Sequence, residues 1–365
     1  MIFEVDRHDI RTTRLVDSAA AALAPGEVRL AIERFAFTSN NVSYAIAGDL
    51  LDYWGFFPTE DQWGRIPAIG ISTVAESAHP QVEVGTRYFG FHPMGDELIV
   101  LAEPTGDHGF RDVSPHRRGH AATYTDFMDV TSGALFDLDK TDEYLLLWGM
   151  FMTSFLIDDQ LGDRGFDGAA ETIVTSASSK TSISLASCLA ERDDVRSIGL
   201  TSERNREFVE DLGVYDRVAT YDEVELLDPT VSTGVVDMAG NADVRAALHR
   251  HFGAQLTFSI SVGATHWDQR TGDAAPLPGP RPEFFFAPGQ RAKRVEDWGA
   301  AELESRIDRA YRRLVEHSAG WLRIEQRHGT DGIVATYGEL LDGTADPAVG
   351  FICTPGSAGS SGTAA

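Results

Sequence analysis

Along residues 27–35, apolar Val28, Leu30, Ile32 and Phe35 alternate with polar Glu27, Arg29 and Glu33. That period of two marks a half-buried strand. Residues 71–77 and 86–91 read as two more strands, and Pro25-Gly26, Gly85, Pro93 and Gly95 punctuate them as turns. Residues 26 to about 130 are therefore predicted to be mostly β. Near Thr141 the period becomes helical: Tyr144 through Trp148 leads on to Leu156 and Ile157, with Asp142 and Glu143 in the first turn. Short apolar strands then alternate with helices. Strands are predicted at 171–175, 195–201, 217–220, 234–238 and 255–262. Helices are predicted at 182–190, at 204–212 (closed by Gly213) and at 244–252. Strands separated by helices of this length specify βαβ units, right-handed crossovers and a parallel sheet covered on both faces.

The last hundred residues read less uniformly. Residues 271–300, rich in Pro, Gly and aromatics, are predicted to be a loop near a site. Residues 302–321 form an amphipathic helix with Ile307, Tyr311, Leu314 and Val315 on one side. Residues 332–339 and 350–354 are predicted as strands returning to the β-rich part, and 355–365 as a disordered tail or linker scar. No internal repeat is visible.

Composition narrows the class. A chain of 365 residues is long enough for two domains. No stretch reaches 18 apolar residues, and the N-terminus lacks the basic-then-apolar run of a signal peptide, so the cytoplasm is the expected location. Only Cys188 and Cys353 are present, which excludes a disulfide scaffold or a Cys-rich zinc site. The net charge of −25 argues against nucleic acid or an anionic membrane as partner and leaves a small-molecule substrate. Lysine occurs only at 140, 180 and 293. Either a GC-rich genome or a salt-adapted acidic surface accounts for that bias.

The most informative segment joins the strand at Ile173 to a helix through Ser176-Ala177-Ser178-Ser179-Lys180-Thr181. A dinucleotide fold places a tight small-residue turn there, so that backbone N–H groups and a helix N-terminus face a pyrophosphate. The three glycine positions of the usual G-x-G-x-x-G are Ser176, Ser178 and Thr181 here. The turn is therefore either a phosphate cradle reinforced by hydroxyls and Lys180, or a Ser-rich helix cap. Some 20 residues on, Ser202, Arg204 and Asn205 suit a ribose 2′-phosphate, which favours NADP, while Glu203 argues for NAD. Arg204 and Arg206 read equally as a solvated helix face.

These features resemble the medium-chain dehydrogenase/reductase superfamily. The segment Gly85-Thr86-Arg87-Tyr88-Phe89-Gly90 is similar to its V-G-D-R-V-F-G motif. Asp211-Leu212-Gly213-Val214-Tyr215-Asp216 with Ala219-Thr220-Tyr221 is similar to its "LGAD…INY" stretch, and Val235 to Gly240 to "DVVFDxVG". The resemblance covers about residues 25–270 and is nearest to the quinone-oxidoreductase-like branch. Within or beside that branch lies a family of bacterial and fungal proteins sharing the strings NNVSYA, GATHWD and FFFAP. The resemblance implies an α/β fold: a Rossmann-type doubly wound parallel sheet plus a β-rich GroES-like barrel domain. It divides the chain into a substrate domain (1–135), a dinucleotide-binding domain (136–270), a return to the substrate domain (271–354) and a tail (355–365). It implies Ser176, Ser178, Ser179, Lys180 and Thr181 under the pyrophosphate, and Ser202, Arg204 and Tyr221 around the adenosine ribose phosphate. Gly240 and Asn241 would lie beside the cofactor, Gly263 and Thr265 near the nicotinamide, and a homodimer is expected. The glycine-free turn departs from the family.

The superfamily's zinc-bearing branch needs cysteine ligands before Cys188, and there are none. His116 and His120 stand at i, i+4 with no acid or Cys to complete a set, so no metal is expected. Without a metal, a protein donor must answer the oxyanion that develops as hydride adds to a carbonyl or conjugated alkene. Tyr44 is the first candidate donor and Tyr53 a second; Asn41 would hold the nicotinamide amide or the substrate, and His266 would relay protons. For the aromatics the alternative is core packing, and for His266 a structural role. The expected function is zinc-independent, NADPH-dependent reduction of a conjugated or aromatic carbonyl in an interdomain cleft. The alternatives are a non-catalytic or sensory nucleotide-binding protein that kept the fold, or non-redox chemistry on the bound nucleotide.

Overall fold

The computed structural model describes residues 1–18, 21–106, 109–131, 138–262 and 277–356. The chain forms two compact units, one from Met1–Leu146 with Arg323–Ala365 and the other from Leu147–Leu322. In chain order the first unit contains β1 (Ile2–Asp6), β2 (Thr13–Val16), β3 (Glu27–Phe37), α1 (Ser39–Ile46), β4 (Trp63–Gly64), β5 (Pro67–Ser77), β6 (Arg87–Pro93), β7 (Glu97–Pro104), β8 (Gly109–Asp112), α2 (Ala122–Thr125) and β9 (Asp126–Asp129). Helix α3 (Thr141–Asp163) leads into the second unit. There follow β10 (Glu171–Thr175), α4 (Lys180–Leu189), β11 (Arg196–Thr201), α5 (Arg206–Asp211), β12 (Arg217–Thr220), β13 (Thr233–Asp237), α6 (Ala242–Phe252), β14 (Leu256–Ser261), β15 (Glu283–Phe284), α7 (Ala287–Trp298) and α8 (Ala300–Ser318). The chain then completes the first unit with β16 (Arg323–His328), α9 (Gly329–Leu341) and β17 (Val349–Thr354).

In the first unit β3, β5, β6, β9, β8 and β7 pair in that order, all antiparallel, and β7 pairs back onto β3. That closes a six-stranded barrel and leaves those strands no edge between them. Strand β3 serves both ends of the arrangement. Its first half pairs with β7, and Phe35 to Phe37 pair with β17. Its period-two alternation turns Val28 and Leu30 into the barrel, where they meet Val74, Val100, Phe110 and Phe127. A second core gathers Phe3, Val5, Phe35, Phe37, Ile333, Tyr337 and Phe351.

The second unit is a wholly parallel sheet in the order β12-β11-β10-β13-β14-β15. Numbered within the sheet this is 3-2-1-4-5-6, the doubly wound dinucleotide order. Neighbouring residues face opposite ways. Val174 and Val236 belong to a core with Leu156, Leu161 and Leu185, whereas Ile173 and Val235 belong to one with Leu248 and Phe252. Both faces are thus covered, as near-continuous apolar strands require.

Two secondary-structure expectations fail. Residues 332–339 lie in helix α9 rather than a strand, with Ile333, Thr336 and Tyr337 buried at helical spacing. Residues 271–300 are not all loop, because 287–298 form α7, which opens on Pro288 in its first turn. Its buried positions are Gln290 and Arg294, which bond Asp159, so an apolar period had nothing to register.

Candidate functional site

The switch point of the parallel sheet lies between β10 and β13, and ligands of such sheets bind beyond the strands' carboxyl ends there. The residues after β10 make a tight turn. Ser176 takes φ +50°, a left-handed conformation that glycine adopts most readily. The Ser179 N–H donates to the Ser176 carbonyl at 2.7 Å, and the Ala177 N–H to the Leu200 carbonyl at 3.1 Å. Three side chains, one from just after β11 and two from the segments flanking β12, hold the turn. The Ser176 N–H donates to the Tyr221 hydroxyl at 3.1 Å, the Tyr215 hydroxyl donates to the Ala177 carbonyl at 3.0 Å, and Asn205 Nδ2 donates to Ser178 Oγ at 3.0 Å. Gly199 makes this possible, since a Cβ there would stand 2.9 Å from the Tyr215 ring.

Helix α4 starts directly from the turn. Ser179 is its N-cap and accepts from the Ser182 N–H at 3.2 Å. Ser182, fully buried, donates its hydroxyl to the Thr175 carbonyl at 2.8 Å and seats the helix on the strand. Lys180 and Thr181 are the first helical residues, at the positive end of the dipole.

The end of β11 presents Ser202, at the position preceding a short 3-10 turn, and the exposed Arg204. Glu203, the residue that argued for NAD, is bound to Arg206 at 3.1 Å. Arg206 is in turn held by Glu223 at 2.5 Å. Beyond β13, buried Asp237 accepts from Thr175 Oγ1 and from the Gly240 N–H, both at 2.9 Å, and pairs with Arg245 at 3.0 Å. Gly240 takes φ +66°. The Asn241 side chain caps α6, accepting from Asp243 and Val244 N–H groups. Gly263, Thr265 and His266 lie outside the described residues.

In the first unit, Asn41 is buried and its amide holds α1 in place. Its Oδ1 accepts from the Thr38 N–H at 2.8 Å and its Nδ2 donates to the Pro67 carbonyl at 2.8 Å. Tyr44, one turn on, packs against Tyr53 with ring centroids 4.4 Å apart, and Tyr53 meets Tyr124 edge-on at 6.4 Å. Burial raises all three phenols above the usual tyrosine range. Phe56 completes the group, 5.0 Å from Tyr124 and 4.6 Å from His120. Beneath it the buried Arg117 donates to the Phe56 and Tyr124 carbonyls and faces Asp112 at 3.5 Å. Burial lowers that guanidinium to about 10, with Asp112 opposing the shift. Tyr124 and Arg117 escaped the sequence reading because no local period links residues 44, 53, 117 and 124; the 3-10 turn and α2 bring them together. His116 lies in the 3-10 turn Pro115–Arg117 and His120 beyond Gly119 at φ +96°, so the two do not share a helix face. Among the described residues no group of three or more His, Cys, Asp or Glu is placed to hold a metal ion.

The family model described as protein of unknown function (DUF2855) matches residues 35–346, most of the chain. The chain belongs to the DUF2855 family. No curated protein matches this DUF2855 chain. Among solved structures it is similar to CurA from Vibrio vulnificus, with 13% identity, a TM-score of 0.57, and coverage of 97% of this chain and 99% of that one. It is similar to YhdH of E. coli K-12 with bound NADPH (14%, TM-score 0.54, 94% and 95% covered). It is also similar to mycobacterial Rv1454c complexed with NADPH (16%, TM-score 0.52, 97% and 99% covered). At these identities the likeness is one of fold. The observed fold is the doubly wound sheet with a β-barrel unit that the medium-chain resemblance implied. Among the described residues, no helix of this DUF2855 chain is long and apolar enough to cross a membrane.

Proposed function

We propose that the chain is an NADPH-dependent oxidoreductase that reduces a conjugated or aromatic carbonyl without a metal. One observation carries the reading: a left-handed turn at Ser176, braced by Tyr221, Tyr215 and Asn205, stands at the switch point of a 3-2-1-4-5-6 sheet. A turn needing that conformation would normally hold glycine. The bracing maintains the backbone shape that dinucleotide folds use against a pyrophosphate. Further support comes from fold neighbours solved with NADPH.

The residues present fit that group. Ser178, Lys180, Thr181 and the first-turn N–H groups of α4 would hold the pyrophosphate, Ser202 and Arg204 the 2′-phosphate, and Gly240 and Asn241 the far side of the switch point. Glu203, the acid that would compete for a 2′-hydroxyl at that position, is turned to Arg206. Bound NADPH would supply hydride. This chain would bind and orient the substrate against the Tyr44–Tyr53–Tyr124 rings and donate the proton from the Tyr44 hydroxyl to the reduced product. Burial keeps that phenol protonated through the neutral and mildly alkaline range, so it acts as a hydrogen-bond donor throughout.

The decisive experiment is a fluorescence titration with NADPH and NADH on the wild type and Arg204→Ala. Selective NADPH binding is expected, with Arg204→Ala losing about tenfold to a hundredfold for NADPH and little for NADH. No binding of either nucleotide would make the turn a helix cap and overturn the reading.

A further inference from the structure

We propose that the second unit carries an additional binding site, remote from the nucleotide turn, for a small oxyanion bearing phosphate or carboxylate groups. A cavity of about 250 Å³ is lined by Phe155, Arg192, Trp298, Arg306, Arg309 and Arg313, with Asp158 and Asp159 in its wall. The nucleotide turn precedes α4, whereas Arg192 follows the helix's other end. Ten helical residues span about 15 Å, so the cavity lies toward the amino-terminal ends of the parallel strands.

The two wall carboxylates are already answered. Arg192 grips both oxygens of Asp158, at 2.6 and 2.8 Å, and Arg294 donates to Asp159 at 2.6 Å. The α8 arginines are less satisfied. They stand three and four residues apart, on one flank of the stripe formed by Leu303, Ile307 and Leu314. Like charges at that spacing oppose each other in a helix. Arg306 pairs with Glu302 at 2.7 Å and lies 4.0 Å over the Trp298 ring, which orients its guanidinium. Arg313 reaches Glu191 only at 3.5 Å, and Arg309 has no ion pair among the described residues. Planar guanidinium forks converging on a cavity match bidentate oxyanion recognition. The rest of a chain with net charge −25 repels anions, so such a site stands out against its own surface. The volume is below the roughly 300–1,000 Å³ of drug-sized pockets and suits a compact ligand.

The test is isothermal titration of the full chain at low salt with inorganic pyrophosphate and, separately, with citrate. Saturable one-to-one binding of at least one is expected, and the tighter of the two assigns phosphate or carboxylate. Arg309→Ala/Arg313→Ala should weaken it about tenfold or more, at an unchanged melting temperature because both side chains are exposed. Arg309→Gln alone should weaken it less, in the same direction. Lys180→Ala should leave it intact. Absence of saturable binding, or binding that the double variant leaves unchanged, overturns the proposal. Loss in Lys180→Ala in place of the arginine variants would mean the anion reads the nucleotide turn, and overturns it equally. None of these readouts requires nucleotide binding or turnover.

Discussion

Tyr44 stands where one hydroxyl decides between two explanations for an aromatic cluster. Packed on Tyr53 and raised by burial, it keeps its proton well above neutral pH. If it donates that proton in the reaction, Tyr44→Phe keeps the ring and its packing but removes the donor. Turnover should fall by roughly a hundredfold to ten-thousandfold, while the NADPH dissociation constant stays within about twofold. Steady-state kinetics beside a binding titration separate the two quantities, and unchanged turnover would return the cluster to core packing. Asn41 is different in kind. Both ends of its amide are bonded within the first unit, so it positions α1 and, one turn on, Tyr44.

The element that most needs explaining is the β10-turn-α4 junction, where the sequence lacks every glycine of the usual fingerprint. The fold still takes the glycine conformation at Ser176. A left-handed non-glycine residue costs about 1–2 kcal/mol, and the Tyr221, Tyr215 and Asn205 bonds offset it. Ser176→Gly should therefore leave the melting temperature and NADPH affinity nearly unchanged, since lost strain and gained chain entropy oppose each other. Ser176→Val, β-branched, should destabilise by about 2 kcal/mol and weaken binding. Calorimetry and the nucleotide titration check both. Loss of affinity in the glycine variant would mean that the hydroxyl, and not the backbone shape, is what matters.

For the whole molecule, charge and buried titratable groups set the response to salt and acid. At pH 7 the net charge of −25 is self-repelling, so added salt should raise the melting temperature. Acid acts through particular residues of the first unit. Burial pushes His92 down to about 3, an effect reinforced by Arg117 and partly opposed by a backbone bond at Gly90. Burial would raise Glu4, but hydrogen bonds from Arg14, Thr59 and Arg65 outweigh it and hold that carboxyl low. Both folded-state values lie below the unfolded ones, so both groups stabilise at higher pH and lose that contribution on acidification. His92 begins to matter below about pH 6.5 and Glu4 below about 4.5. At high salt, where the overall repulsion is screened, the melting temperature should fall steadily from pH 7 to 4. A flat or rising profile would contradict the assignment.

The sequence by itself determined the fold class. Period-two runs such as residues 27–35 and the strand–helix alternation after Glu171 are local signals, because each strand or helix must turn its apolar face to a core. It also singled out residues 176–181 and 202–204, since a strand-turn-helix of small polar residues is local too. Where a buried face is polar, local pattern failed: α7 buries Gln290 and Arg294 through ion pairs and hydrogen bonds with distant acids. Only the tertiary structure decided the strand order, the bracing of Ser176 by Tyr215 and Tyr221, the union of Tyr44 and Tyr53 with Tyr124, and the arginine-lined cavity. Each of these joins residues far apart in the chain, and their proximity is set by sheet pairing and helix packing, which no short window of sequence contains.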